Sequence, residues 1–107
     1  MRDARLKAIL DEFHTGLEQI YGPRLAKLVL FGSRARNDAR PDSDIDVMVV
    51  LRGPVNSGEE IRRVSRFRAD LCLKHDVVIS CIYVSEKEYA DQATPLMINV
   101  RREGVPV

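Results

Sequence analysis

Apolar residues recur at helical spacing in two long stretches of the chain. Residues 3–21 carry them three or four positions apart, which predicts an amphipathic helix that ends at Gly22. Residues 58–74 repeat this pattern, and Ser57 with Glu60 three residues later fits a capping box at the helix start. Shorter helices are expected over residues 86–92 and 95–103. The predicted buried stripes are Leu6, Ile9, Leu10, Phe13, Leu17 and Ile20 in the first helix, and Ile61, Val64, Phe67 and Leu71 in the second.

Three other stretches are short and almost continuously apolar, as strands buried on both faces are. They cover residues 25–31, 44–51 and 76–84. Strands and helices in this mixed order predict an α+β fold, with a small mixed sheet of three or four strands flanked by helices. A plain βαβ dinucleotide-binding unit needs a Gly-x-Gly-x-x-Gly loop after its first strand, and only Gly32 is present there.

Length, charge and cysteine usage narrow the class of protein. A chain of 107 residues is expected to form one domain, residues 1–107, with a single core. The 17 basic and 16 acidic residues nearly balance, so the charge does not call for a nucleic-acid or membrane-surface partner. There is no long apolar span, and the N-terminus is too charged for a signal peptide. Cys72 and Cys81 lack metal-ligand spacing, so reduced thiols in a cytoplasmic protein are favoured over a disulfide between them.

Two carboxylates open the second apolar run. Asp44 and Asp46 are two residues apart, so on a strand their side chains point to the same face. Carboxylates this close repel each other, and a divalent cation that prefers oxygen ligands removes the conflict. Because Mg²⁺ typically takes one or two carboxylates together with substrate phosphates, the pair predicts half of a magnesium–nucleotide site.

The turn after the first strand offers the other half. Gly32 allows close approach of the backbone to a ligand, and Ser33 suits the N-cap of a helical turn over residues 34–36. A helix N-terminus of this kind binds anions, and Arg34 and Arg36 add positive charge nearby. Taken separately, a Gly-Ser pair and an Asp-x-Asp pair are common structural features, and only their combination is specific.

The combination resembles a known signature. Gly32-Ser33, ten further residues and then Asp44-Ile45-Asp46, with an apolar strand on each side, is similar to the pattern of the DNA polymerase β-like nucleotidyltransferases. More narrowly, the chain resembles the minimal nucleotidyltransferase (MNT) branch, small proteins often paired with a HEPN-domain toxin. One position departs from the family pattern: Asn37 stands where Gly usually follows the Gly-Ser-x-Ala-Arg run.

The resemblance also implies a third carboxylate on the third strand, where Asp76 is the acid available. It would complete the metal cage and could take a proton from the attacking hydroxyl. By sequence alone, Asp76 could be a surface residue that begins the strand, but the motif upstream favours the metal-ligand interpretation.

The function that the resemblance implies is transfer of AMP from ATP to a protein hydroxyl. The acceptor would be a tyrosine of a partner HEPN toxin, which makes this chain an antitoxin. Asp44, Asp46 and Asp76 would be the catalytic residues and would hold two Mg²⁺ ions, while Gly32 and Ser33 would bind the β- and γ-phosphates. Two alternatives stay open: an antitoxin that neutralises its partner by contact alone, and a transferase acting on a small molecule or a nucleic acid.

Overall fold

The computed structural model describes residues 3–36, 40 and 43–107 of the chain. Its helices and strands alternate in the mixed order that the sequence predicts. Their bounds are α1 Ala4–Tyr21, β1 Leu25–Phe31, β2 Ile45–Leu51, α2 Ser57–His75, β3 Ile79–Ser85, α3 Glu86–Asp91, α4 Pro95–Glu103 and β4 Val105–Pro106. Asn37, the departure from the family pattern, lies outside the described residues.

The strands form one four-stranded sheet in the order β3-β2-β1-β4. β1 runs antiparallel to both β2 and β4, whereas β2 and β3 are parallel. A parallel pair needs a crossover, and α2 supplies it. The prediction of an α+β fold with a small mixed sheet is therefore confirmed. The short strand β4 was not predicted.

The sheet is covered on both faces, and β2 lies at its centre. Alternate residues of β2 from Ile45 to Leu51 pack against α1 and α2, while Met48 and Val50 face Met97 and Val100 of α4. This burial on both sides explains why the second strand reads as a continuous apolar run.

Helix α1 follows its predicted stripe closely. Asp3 caps its N-terminus by accepting a hydrogen bond from the Leu6 N–H group at 3.1 Å. The Phe13 ring lies in the core and stacks on Phe67 of α2, with ring centroids 5.6 Å apart. Gly22 ends the helix with a positive φ of 54°.

Helix α2 differs from its prediction at two points. Its N-cap is Asn56, whose side chain accepts from the Glu59 N–H group at 3.2 Å, so the predicted capping box of Ser57 and Glu60 is wrong. Glu60 is instead buried. Ile61 is 54% exposed rather than part of the buried stripe.

Two other predictions concern the cysteines and the membrane. Cys72 and Cys81 are both free thiols, as expected. Within the described part of the chain, no helix combines the length and the apolar character needed to cross a membrane.

Candidate active site

The turn after β1 lies directly against a carboxylate of β2. Phe31, the last residue of β1, pairs with Asp46 across the two strands. Gly32 follows with a φ of +72°, and a Cβ atom placed on it would lie 2.5 Å from Oδ2 of Asp46. Such a contact is closer than van der Waals radii allow, and φ there is unfavourable for other residues. Glycine is therefore required for this close approach.

The turn itself is a single 3₁₀ turn, Gly32–Arg34. The Gly32 carbonyl accepts hydrogen bonds from the N–H groups of Ala35 at 3.1 Å and Arg36 at 3.3 Å. Because the turn begins at Gly32, with Phe31 before it and no side-chain cap, the prediction that Ser33 is the N-cap is wrong. Ser33 is the half-buried second residue of the turn.

Asp44 and Asp46 lie close enough for their charges to interact. Asp44 is exposed and immediately precedes β2, whereas Asp46 is half-buried within the strand. Burial, and then the negative charge of Asp44, raises the pKa of the Asp46 carboxyl. Within the described part of the chain, neither carboxylate has a hydrogen-bond or ion-pair partner. The pair thus has the unsatisfied negative charge that a bound cation would neutralise.

Asp76 lies at the end of α2 and not on the third strand. It is the exposed C-cap of α2 in the left-handed conformation, with φ 52° and ψ 52°, and its N–H group bonds to the Cys72 carbonyl. The strand begins three residues later at Ile79, so the prediction that Asp76 opens the third strand is wrong. Among residues 3–36, 40 and 43–107, no three Asp, Glu, His or Cys side chains are grouped closely enough to hold a metal ion.

Ser80 of β3, and Val78 just before this strand, lie beside the segment that carries the aspartates. The register of the parallel pair places Ser80 next to Asp46, and the Ile45 N–H group donates to the Val78 carbonyl at 2.8 Å. Residues in register on parallel strands point to the same face of a sheet. Ser80 is therefore a site neighbour that the sequence did not single out, because its position follows from the strand register and not from its own segment.

The two arginines of the turn are both engaged. Arg34 donates to the Ser43 carbonyl, from Nη2 at 2.8 Å and from Nε at 3.3 Å, and its side chain is only 11% exposed. Arg36 lies 3.7 Å from Glu103 of α4. A cavity of about 220 Å³ opens between the turn and α4, lined in part by Phe31 and Arg36.

Comparisons with known proteins identify the family of the chain. The sequence pattern of the family described as "Nucleotidyltransferase domain" matches residues 10–101. A protein of Methanocaldococcus jannaschii with the provisional name protein adenylyltransferase MJ0604 is 38% identical over 78 residues, 73% of this chain and 72% of the relative. These matches confirm the resemblance seen in the sequence.

Two solved structures share the fold of this chain. One, provisionally described as a minimal nucleotidyltransferase, has a TM-score of 0.64 at 24% identity and covers 95% of this chain and 92% of the other. Another is a toxin–antitoxin crystal structure with AMP-PNP, with a TM-score of 0.62 at 19% identity, covering 90% and 70% of the two chains. At these identities the likeness concerns the fold alone.

Proposed function

The chain belongs to the nucleotidyltransferase domain family, and from that premise we propose that it transfers AMP from ATP to a hydroxyl group of a partner protein. The enzyme class is the one that the sequence predicts. The observation that carries the finer proposal is the contact between the Gly32 turn and the Asp46 carboxylate. Triphosphate and metal must lie side by side in such a reaction, and these two elements can hold them side by side.

The residues present fit a magnesium ion. Asp44 and Asp46 would supply hard oxygen ligands, and the raised pKa of Asp46 reflects burial and repulsion that a cation would offset. When bound, Mg²⁺ supplies positive charge that neutralises phosphate oxygens and orients the triphosphate. Two carboxylates and the phosphates suffice for one ion, and a second ion remains a prediction.

The chain's own groups would act as follows. Backbone N–H groups of Gly32 and Ser33, with the Ser33 hydroxyl, would bind the β- and γ-phosphates, since the first N–H groups of a helical turn have no partner within it. The acceptor oxygen attacks the α-phosphorus as the bond from that phosphorus to the departing pyrophosphate breaks. The hydroxyl proton passes to a site carboxylate or to water. Asp76 is left out of this scheme because it caps α2 and is not grouped with the pair closely enough to hold one metal ion with them.

The acceptor is proposed to be a tyrosine of a HEPN toxin, which makes this chain an antitoxin. The support is the name of the M. jannaschii relative, which specifies a protein acceptor, and the toxin–antitoxin structure that shares the fold. AMP-PNP in that structure is an ATP analogue, which supports ATP as the donor. A reaction that consumes ATP takes place where ATP is supplied, so we propose a cytoplasmic protein.

The test is label transfer from α-³²P-ATP, in the presence of Mg²⁺, to a HEPN-domain toxin supplied as the partner protein. Wild type should label the partner, and Asp44→Asn combined with Asp46→Asn should lower the rate by at least 10³-fold, because metal neutralisation of transition-state charge is a large effect. Mass spectrometry should locate AMP on a tyrosine.

Asp76→Asn is the matched control, since it removes an exposed aspartate by the same chemical change. Equal labelling by wild type and the double variant would refute the proposal. Neutralisation of the toxin by the double variant would favour an antitoxin that works by contact, an alternative consistent with the lack of a third described carboxylate. Label on a small molecule or nucleic acid without any partner would favour the other alternative.

A further inference from the structure

The Arg34 side chain connects the two halves of the candidate site. Arg34 is the last residue of the Gly32–Arg34 turn, and its guanidinium donates twice to the carbonyl of Ser43, at 2.8 and 3.3 Å. Ser43 is the residue immediately before Asp44. One side chain thus joins the turn proposed to bind phosphates to the backbone that carries the first carboxylate.

Asp44 depends on this link more than Asp46 does. Asp46 lies within β2 and is fixed by strand pairing on both sides. Asp44 precedes the strand and is exposed, and its backbone is held by hydrogen bonds of the residues on either side. On one side the Ile45 N–H group donates to the Val78 carbonyl. On the other side the Ser43 carbonyl accepts from Arg34, and the Ser43 N–H group donates to the Arg40 carbonyl at 3.0 Å.

The Arg34 side chain lies on the face of the sheet opposite to the Asp46 carboxylate. Its side chain lines a narrow crevice together with Leu6 of α1 and Ile45 of β2. Neighbouring side chains of a strand point to opposite faces, so Ile45 and Asp46 lie on opposite sides of β2. The guanidinium is therefore on the α1 side of the sheet, where Asp3 lies 3.9 Å away, while the Asp46 carboxylate is on the other side.

We propose that Arg34 is a positioning residue that sets where the Asp44 carboxylate stands relative to Asp46 and the Gly32 turn. The inference rests on the proposed function, in which the two aspartates hold magnesium and ATP. Outer groups that orient metal ligands typically contribute 10–100-fold to metal affinity. Arg34→Ala should therefore weaken magnesium-dependent ATP binding by about that factor. High Mg²⁺ should restore part of the lost AMP transfer, because the ligands remain present.

A matched control separates positioning from general stability. Arg52 likewise donates from its guanidinium to backbone carbonyls, including that of Leu25 at 3.1 Å, but at the opposite end of β1 and β2. Arg52→Ala removes a comparable structural contact far from the aspartates. The experiment measures the Mg²⁺ dependence of ATP binding by calorimetry and the unfolding temperature of wild type, Arg34→Ala, Arg52→Ala and Asp44→Asn.

Arg34→Ala should need a 10–100-fold higher Mg²⁺ concentration than wild type for the same ATP binding. Arg52→Ala should keep the wild-type Mg²⁺ dependence, although its unfolding temperature falls by a similar amount. An Arg34→Ala protein with wild-type magnesium dependence, while Asp44→Asn loses binding, would overturn the positioning role alone. Absence of magnesium-dependent binding in wild type would overturn the proposed function and this inference together. If Arg34→Ala does not fold, Arg34→Lys is judged by the same criterion, since lysine keeps the charge but not the two-donor geometry.

Discussion

Glu60 and Asp46 both lose contact with water in the fold, but their charges are accommodated in opposite ways. Glu60 is buried between α1 and α2, where it accepts hydrogen bonds from the Tyr21 hydroxyl at 2.8 Å and from Arg24 and Arg63 at 3.1 Å. Asp46 is half-buried near the start of β2, and among the described residues the charge that acts on it is the like charge of Asp44. The fold itself neutralises the Glu60 carboxylate, whereas the Asp46 carboxylate would be neutralised by a bound cation.

The pKa directions express this contrast. Burial works to raise the pKa of Glu60, but the hydrogen bonds from Tyr21 and Arg24 outweigh it and hold that pKa below its ordinary value. For Asp46, burial and Asp44 both raise the pKa. A charge that costs stability and sits beside a glycine turn is typical of a ligand site, while a fully paired charge is typical of a structural element.

The largest effect should come from Gly32→Ala. Its Cβ would lie 2.5 Å from Asp46 Oδ2 at a φ of +72°, so either the turn or the carboxylate must move. We expect AMP transfer to fall on the order of 10³-fold, because small misplacements of reacting groups have large kinetic effects. Gly22→Ala is the control, since Gly22 also has positive φ but nothing lies within 4 Å of its added Cβ. Equal loss in both variants would indicate backbone strain and not the contact with Asp46.

Glu60→Gln should lower the stability of the protein more than the aspartate substitutions described next. It leaves Arg24 and Arg63 without their anionic partner, and we expect the free energy of unfolding to fall by about 2 kcal/mol at pH 7. Because the folded-state pKa of Glu60 is lowered, its contribution is present above the ordinary glutamate pKa and is lost as pH falls through the lowered value. Urea unfolding at pH 7 and at pH 3 should show the gap between wild type and variant closing in acid. A gap independent of pH would contradict this account.

Asp46→Asn should have a small effect of the opposite sign. In protein treated with EDTA, the variant should be more stable than wild type at pH 7 by about 0.5 kcal/mol, because an unfavourable charge is removed. The pKa of Asp46 is higher in the folded than in the unfolded protein. Its contribution to stability is therefore most favourable below the unfolded-state pKa and is lost as pH rises through the folded-state pKa. The extra stability of Asp46→Asn over wild type should therefore disappear near pH 3, where the wild-type carboxyl is largely protonated. Destabilisation at pH 7, measured by the same urea titration, would show that Asp46 is a structural residue.

Asp76→Asn should have the smallest effect. Asn tolerates the left-handed conformation that Asp76 adopts at the end of α2, so stability should stay within about 0.5 kcal/mol of wild type. AMP transfer should stay within a factor of about two, because Asp76 is not grouped with the other aspartates in the described residues. A loss comparable to that of Asp44→Asn would restore Asp76 to the catalytic set.

The sequence was informative where periodicity is strict. The stripe of α1 and the continuous apolar run of β2 predicted their burial, and Asp44 and Asp46 were predicted together because a strand's period of two places them on one face. The family resemblance led to the nucleotidyltransferase class, which the comparisons confirm.

It was less informative where an acidic or polar residue can serve two local roles. An aspartate before an apolar run can begin a strand or end the preceding helix in the left-handed conformation, and Asp76 does the second. Glu60 fits a capping box three residues after Ser57, but Asn56 is the cap and Glu60 binds Tyr21 instead. Such choices depend on tertiary neighbours that are distant in sequence, as do the link from Arg34 to Ser43 and the position of Ser80 beside Asp46.

The central claim is that Asp44, Asp46 and the Gly32 turn together bind ATP with magnesium. Calorimetric titration of ATP into the purified protein, with Mg²⁺ or with EDTA, tests it without any assumption about the acceptor. The account predicts binding by wild type only when Mg²⁺ is present, and none by Asp44→Asn combined with Asp46→Asn. ATP binding of equal strength in EDTA, or undiminished binding by the double variant, would contradict it.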